Sequence, residues 1–151
     1  MGMRCVVQRV KNASVTVNGE MVSQIQLGLL VLIGVHVDDT QKDAVYIADK
    51  IRKLRIFEDD QERMNLSVEQ VGGTVLAVSQ FTLLGDVRGQ NRPGFTKAHT
   101  PKIANDLYLS VVEHLRAQGL TVQTGIFQTH MEVSLINDGP VTILIDSKKE
   151  F

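Results

Sequence analysis

The segment Thr74–Leu84, with the sequence TVLAVSQFTLL, places the strongest constraint on the fold. It follows two glycines, and its first five residues are β-branched or apolar, which is typical of a strand buried on both faces. We predict a buried strand over the whole segment. Ser79 and Gln80 interrupt it, and a buried polar group without a partner costs about 1–3 kcal/mol. Residue types alone favour partners in neighbouring backbone. The alternative is a pocket in which Ser79, Gln80 and Thr82 face a ligand.

A long polar loop follows this segment and supports the pocket interpretation. Its backbone is irregular, as indicated by Gly85, Gly89, Pro93 and Gly94. Its polar residues are Arg88, Gln90, Asn91, Arg92 and Lys97. Long loops at strand ends frequently carry binding residues. The sequence therefore predicts a binding site where the strand ends.

Composition limits the class of protein. The chain has 151 residues and a net charge of −1, which predicts one domain (1–151) without a polybasic surface for nucleic acid. The single Cys5 excludes an internal disulfide, and the 4 histidines lack metal-ligand spacing, so neither a metal nor a cofactor is expected. The longest apolar run, Leu27–Val35, is too short to span a bilayer. Because no secretory signal precedes it, we expect a cytoplasmic protein with no membrane partner.

Hydrophobic periodicity predicts the remaining elements. Strands are expected at Arg4–Val10, Ala13–Val17, Glu20–Ile25, Gln26–Val37, Asn65–Val68, Thr121–Phe127, Met131–Ile136 and Val141–Asp146. Amphipathic helices are expected at Thr40–Arg55, with Thr40 and Asp43 as a capping pair, and from Thr100–Pro101 to Gly119. Hairpins dominate this order, and helices are few. The sequence therefore predicts an α+β fold: a mainly antiparallel, barrel-like sheet covered by two helices.

The turn between the last two predicted strands, Asn137–Pro140, contains a Gly-Pro bond. Only about 5–6% of X-Pro bonds in folded proteins are cis, so residue frequencies favour a trans hairpin turn. Standard catalytic patterns give no further guidance, because neither a GxSxG elbow nor a phosphate loop is present. Ser79 and Thr82 are nucleophiles by residue type, but neither has an evident base.

Two short segments resemble the signature motifs of the D-aminoacyl-tRNA deacylases. They are SQFTL at Ser79–Leu83, here called the first motif, and NDGPVT at Asn137–Thr142, the second motif. The opening Met3–Gly19 and the loop Arg92–Thr96 are also similar to that family. The resemblance extends over nearly the whole chain.

The resemblance implies an enzyme that hydrolyses the ester between a D-amino acid and the 3′-terminal adenosine of tRNA. This reaction is a proofreading step of translation, and it extends to glycine on mischarged tRNA. The resemblance further implies a homodimer of barrel-like fold with its active site at the subunit interface. No cofactor is implied.

The resemblance also assigns residues. Ser79, Gln80, Phe81 and Thr82 would form the catalytic wall, with main-chain N–H groups of Phe81 and Thr82 stabilising the oxyanion. Gly139 and Pro140, joined by a cis bond, would reach into the partner's pocket and reject L-amino acids. The residues expected to support them are Arg9, Asn137, Val141 and Thr142. The candidate tRNA contacts are Arg88, Arg92, Phe95 and Lys97, and Phe95 either stacks near adenine or packs the loop.

Two other hypotheses compete with this one. The lack of catalytic side chains is also typical of a module that binds RNA ends without hydrolysis, and a turnover assay distinguishes the two. Related editing proteins remove wrongly attached glycine or L-amino acids. For these, the discriminating feature is the Gly139–Pro140 bond, since a cis bond favours D-substrates.

Overall fold

The fold is organised around its first strand, β1 (Arg4–Val17), in a computed structural model that describes all 151 residues. Along one edge, β1 pairs antiparallel with β2 (Glu20–Ile25) through its second half and with β3 (Gly28–Gly34) through its first half. A final strand of 15 residues, Glu132–Asp146, runs antiparallel along the other edge over almost its whole length. Sequence reasoning divided β1 into two strands, which is wrong.

Beyond β3 the sheet becomes parallel. A small separate hairpin precedes this part and consists of β4 (Phe57–Glu58) and β5 (Met64–Leu66). The strand β6 (Thr74–Ser79) then pairs parallel with β3, and β7 (Val122–Thr124) pairs parallel with β6. The last strand, Glu132–Asp146, is β8. The expected α+β fold with its barrel-like sheet is confirmed, and the parallel β3–β6–β7 portion adds to the antiparallel pairs around β1.

Two helices cover one face of this sheet, α1 (Gln41–Lys53) and α2 (Pro101–Ala117). The N–H of Thr40 donates to the Asp43 carboxylate at 2.8 Å, as the capping pair predicts. The apolar stripes of both helices pack against β1, β3 and β6 in the main core, whose buried thiol Cys5 has its pKa raised to about 12 by desolvation. Neither helix combines the length and apolar character needed to cross a bilayer.

A second, smaller core lies on the opposite face of the sheet. Its buried side chains come from β1, β2, β3 and β6: Val10, Ala13, Val15, Ile25, Leu30, Leu76 and Val78. The first residues of β8, including Val133 and Leu135, pack against it. Because β1 and β8 curl over this core together, the sheet closes into a near-barrel.

The predicted strand Thr74–Leu84 ends early. β6 stops at Ser79, and a 3₁₀ helix follows at Phe81–Leu84. The physical reason is the neighbouring strand: Ser79 is paired with Ile33, and β3 ends one residue later at Gly34. A chain that has lost its ladder partner must satisfy its backbone locally, which the 3₁₀ helix does.

The predicted hairpin at Asn137–Pro140 is also wrong. Both flanking segments belong to the single strand β8. Gln8 pairs with Thr142 and Val10 with Asn137, so that four residues of β8, Asp138–Val141, lie opposite Arg9 alone. This segment is therefore a large β-bulge, which re-aims a short stretch of a strand. The Gly139–Pro140 bond is cis, as the resemblance implied and contrary to the expectation from residue frequencies.

Candidate active site

The first motif lies where β6 passes into the 3₁₀ helix. Phe81 is 58% exposed, Thr82 is exposed, and Ser79 and Gln80 are half-buried. The Gln80 Nε2 donates to Thr82 Oγ1 at 2.8 Å, so these two polar side chains satisfy each other near the surface. The N–H groups of Phe81 and Thr82 stand at the N-terminal end of the 3₁₀ helix, where a helix leaves N–H groups without partners of its own. The motif therefore offers donors and an exposed aromatic ring to a ligand.

The loop after the first motif is organised by Asp86. Its N–H and carbonyl pair with those of Gly94 at 2.8 and 2.9 Å, which closes the loop. Arg88 donates to both Asp86 carboxylate oxygens at 3.0 and 2.7 Å, and Lys97 Nζ lies 3.7 Å from Oδ2. These contacts hold the pKa of the Asp86 carboxyl well below its ordinary value, and the hydrogen bonds from Arg88 contribute most. Arg92 is exposed on the same loop.

Phe95 packs edge-on against Phe81, with ring centroids 5.1 Å apart and an interplanar angle of 72°. Phe95 is half-buried, whereas Phe81 is exposed. Phe95 therefore packs within the loop, and Phe81 is the more exposed ring of the pair. Aromatic pairs of this geometry contribute about 0.5–1.5 kcal/mol beyond their buried area.

Asn137 closes the base of the bulge in the second motif. Its Oδ1 accepts the Val141 N–H at 2.8 Å. Its Nδ2 donates to Thr142 Oγ1 at 3.1 Å and to Gln8 Oε1 at 3.3 Å. One amide therefore bridges the two ends of the bulge and ties them to β1. Gly139 and Pro140, between those ends, are exposed.

Arg9 supports the same bulge from inside the protein, where only 6% of the residue is exposed. Its Nε donates to the Asp138 carbonyl at 2.9 Å, and its Nη1 donates to the Ile56 carbonyl at 2.8 Å. Two carboxylate oxygens, from Glu58 and Asp138, lie 3.8 and 3.9 Å from the guanidinium. A buried guanidinium needs this compensation, because an unpaired buried charge is strongly destabilising.

The two motifs do not meet within one chain. The Gln80 N–H donates to the Ile33 carbonyl at 2.7 Å. Ile33 pairs with Cys5 of β1, and Cys5 pairs on its other side with Ile145 of β8. Pro140 lies five positions away along β8, so the motifs are offset by roughly 15 Å along the strands at the usual rise of a strand, and β3 and β1 lie between β6 and β8. Between them, Thr142 and Leu144 are exposed, Leu144 to 55%.

Sequence reasoning missed three parts of this arrangement, namely Gln8, Ile56 and Glu58. The polar pair Gln8–Arg9 inside an apolar strand was the available signal for Gln8. Nothing local indicates Ile56 or Glu58, because their contacts with Arg9 span about fifty residues of chain.

Comparison with known proteins decides the family. A family model described as D-Tyr-tRNA(Tyr) deacylase matches residues 6–146. The D-aminoacyl-tRNA deacylase of Koribacter versatilis is 60% identical over 149 residues, covering 99% of this chain and 100% of the relative. The chain belongs to the D-aminoacyl-tRNA deacylase family. It is accordingly an enzyme of the ester hydrolase class.

A second curated relative agrees with this assignment, and two solved structures have a similar fold. The D-aminoacyl-tRNA deacylase of Symbiobacterium thermophilum is 59% identical over 151 residues, with both chains covered completely. A solved structure described as c-Myc DNA unwinding element binding protein has a TM-score of 0.90 and 41% identity, covering 95% of this chain and 97% of that chain. A probable eukaryotic D-amino acid tRNA deacylase, with a TM-score of 0.81 and 19% identity over 97% and 100% of the two chains, shares the deacylase fold.

Proposed function

We propose that this deacylase hydrolyses the ester between a D-amino acid and the 3′-terminal adenosine of tRNA, as a cytoplasmic homodimer in which the whole chain, 1–151, acts as one domain. The observation that carries the proposal is the pair of exposed motifs, each built in a different way. The first motif offers N–H donors, and the second presents an exposed turn held from behind by Arg9.

The separation of the motifs supports the proposed homodimer. An ester that is held by both must lie within hydrogen-bond reach of each, and in one chain they are offset by about 15 Å along the strands. A second copy, related by a two-fold axis, would bring its Gly139–Pro140 turn to the first motif. The exposed apolar residues Phe81, Ile136 and Leu144 would be covered by such an interface.

The chiral filter follows from a turn made of main chain. The carbonyl oxygens of Gly139 and its neighbours would accept hydrogen bonds from the substrate's α-ammonium group. With the ammonium and the ester both fixed, an L side chain would be directed into the turn, and a D side chain would point away from it. Glycine has no side chain to exclude, so glycyl-tRNA would also be a substrate. A turn whose Asp138 carbonyl is held by Arg9 and whose Val141 N–H is held by Asn137 loses little conformational entropy on binding.

Catalysis would depend on main-chain donors rather than on a side-chain nucleophile. The N–H groups of Phe81 and Thr82 would stabilise the oxyanion that forms at the ester carbonyl. Water would be positioned by the ribose 2′-OH of the substrate. The Thr82 hydroxyl hydrogen-bonds to the Gln80 amide and to no carboxylate or imidazole, so nothing near it would take its proton. Ser79 and Gln80 would line the pocket and orient the substrate.

The loop after the first motif would contact the tRNA backbone. Arg92 is exposed and would contact phosphates, and Arg88 and Lys97 belong to the same loop and share Asp86 as an ion-pair partner. Contacts to phosphate and to the terminal adenosine carry no sequence information, which suits an enzyme that accepts many tRNAs. Phe95 would hold Phe81 in place.

The decisive experiment compares D-Tyr-tRNA, L-Tyr-tRNA and Gly-tRNA as substrates of the purified protein, with release of the amino acid as the readout. Release from the D-ester and the glycyl ester, but not from the L-ester, is the expected result. Release from none would favour an RNA-binding module. Release from the L-ester as well would show that the Gly139–Pro140 turn is not a chiral filter. Sedimentation velocity on the same sample tests the homodimer.

A further inference from the structure

Each nitrogen of the Arg9 guanidinium faces a different partner, two through hydrogen bonds and one through an ion pair. Nε donates to the carbonyl of Asp138 in the second motif, and Nη1 donates to the carbonyl of Ile56. Nη2 lies 3.8 Å from the Glu58 carboxylate. Ile56 and Glu58 flank or belong to the β4–β5 hairpin, so Arg9 links this hairpin to the bulge. Because the guanidinium is planar and rigid, fixing Nη1 and Nη2 also fixes the direction in which Nε donates.

Glu58 and Asp138 compete for the same buried cation. The Asp138 carboxylate lies 3.9 Å from Arg9 Nε, while the Asp138 carbonyl accepts from that nitrogen at 2.9 Å. The Glu58 charge draws Nη2 towards the hairpin, and Nε retains its hydrogen bond to the Asp138 carbonyl. Without the Glu58 charge, the only carboxylate near Arg9 belongs to the bulge itself. The cation would then be drawn to that side chain at the expense of the carbonyl.

We propose that Glu58 is a positioning residue for substrate chirality: it holds Arg9 in the orientation that fixes the Asp138 carbonyl, and thereby the Gly139–Pro140 turn. This inference rests on the proposed function of that turn. Glu58 itself touches no substrate, because it acts through Arg9. Space around the turn is tight, since a Cβ on Gly139 would lie 3.2 Å from Arg9 Nη2. Because Arg9 Nε also donates to the Asp138 carbonyl, a movement of the guanidinium would move the turn.

The test is Glu58→Gln, assayed for kcat and KM on D-Tyr-tRNA and L-Tyr-tRNA. Gln keeps the size of the side chain and removes its charge. Since the Glu58 side chain is half exposed, we expect the D-over-L preference in kcat/KM to fall by about 1.5- to fivefold, the range of a solvent-screened ion pair. The matched control is Asp60→Asn, which removes a charge from the exposed turn of the same hairpin and should leave the preference unchanged.

A double-mutant cycle separates positioning from general stability. If Glu58 acts through Arg9, then Glu58→Gln will have no additional effect on the preference in an Arg9→Lys background, because lysine cannot hold the three-way fork. Glu58→Asp, which retains the charge on a shorter side chain, should recover part of the preference. An unchanged preference in Glu58→Gln overturns the inference. So does an equal loss on both esters accompanied by a lower melting temperature. If the unmodified protein shows no D-preference, the proposed function fails instead.

Discussion

The two motifs of this deacylase are built in opposite ways. The first motif, Ser79–Leu83, ends a strand whose partner has run out, and its polar side chains meet only each other. The second motif, Asn137–Thr142, is held by an asparagine amide at its base and by a buried guanidinium behind it. The first motif leaves its aromatic ring and its threonine exposed, and the second holds main chain in one place. Substitutions should therefore cost little at the first motif's side chains and much at the second motif's backbone.

The largest effect is expected from Gly139→Ala. A Cβ at this position would lie 2.7 Å from Val141 Cγ2 and 3.1 Å from Val141 N, at a φ of +137°. The turn would have to shift, and a displacement near 1 Å in a positioning group lowers turnover about a hundredfold. The measurement is kcat/KM on D-Tyr-tRNA.

Gly19→Ala is the matched control for that variant. Gly19 also has a positive φ, but a Cβ there meets nothing within 4 Å. Backbone strain alone should lower the stability of this variant slightly and leave its turnover intact. Wild-type turnover in Gly139→Ala would show that the turn does not need its present backbone.

The next effect is expected from Asn137→Ala. This change leaves the Val141 N–H without its acceptor and removes the donors to Thr142 and Gln8. We expect a loss of about 1–3 kcal/mol in the free energy of unfolding, with kcat/KM lower by about tenfold. Asn137→Asp retains the acceptor for Val141 and should lose less of both. Urea denaturation and steady-state kinetics measure the two quantities. Equal losses in both variants would argue against the Val141 contact as the main restraint.

A smaller effect is expected from Thr82→Ala and Thr82→Val. If the main chain stabilises the oxyanion and water is the nucleophile, kcat should fall by no more than about tenfold, whereas removing a covalent nucleophile costs many orders of magnitude. The assay is single-turnover hydrolysis of D-Tyr-tRNA. Near-total loss of turnover in a correctly folded dimer would make Thr82 the nucleophile and refute the proposed mechanism.

The smallest effect on turnover is expected from Asp39→Asn, which concerns the support of the first motif's loop. The His36–Asp39 turn binds this loop through the Val37 N–H and the Lys97 carbonyl at 2.8 Å. Burial raises the pKa of Asp39 from 3.8 to about 7, with the nearby Asp43 adding to the shift, and one Asp39 oxygen has no hydrogen-bond partner. The second motif depends instead on the hydrogen bond from Arg9 to the Asp138 carbonyl.

The sign of the Asp39 effect follows from linkage. Between pH 3.8 and about 7 the unfolded chain releases the Asp39 proton while the folded chain retains it, so stability is lost as the pH rises through this window. The asparagine side chain of the variant does not titrate. The melting temperature of Asp39→Asn should therefore rise relative to wild type between pH 4 and pH 8, by a few degrees. Thermal scans at both pH values measure it, and a constant difference would contradict the assigned pKa.

Much of this protein is readable from local pattern. Both helices, the hairpin at Asn18–Gly19 and the buried run Thr74–Val78 follow from periodicity and turn chemistry, and the structure confirms them. The first and second motifs were enough to identify the family, because short signature segments can be recognised in a sequence without knowledge of its fold. The roles of the individual site residues remain predictions.

Only the tertiary structure decided how the motifs are built. No local signal shows that β3 ends at Gly34, one residue after the partner of Ser79. Because β3 ends there, the second half of the predicted strand forms a 3₁₀ helix instead. No local signal shows that four residues of β8 lie opposite Arg9, which turns a predicted hairpin into a bulge within one strand. Sequence determines which residues prefer a strand or a turn. The pairing of segments that are far apart in the chain determines where the backbone must depart from that preference, because each buried N–H and carbonyl needs a partner.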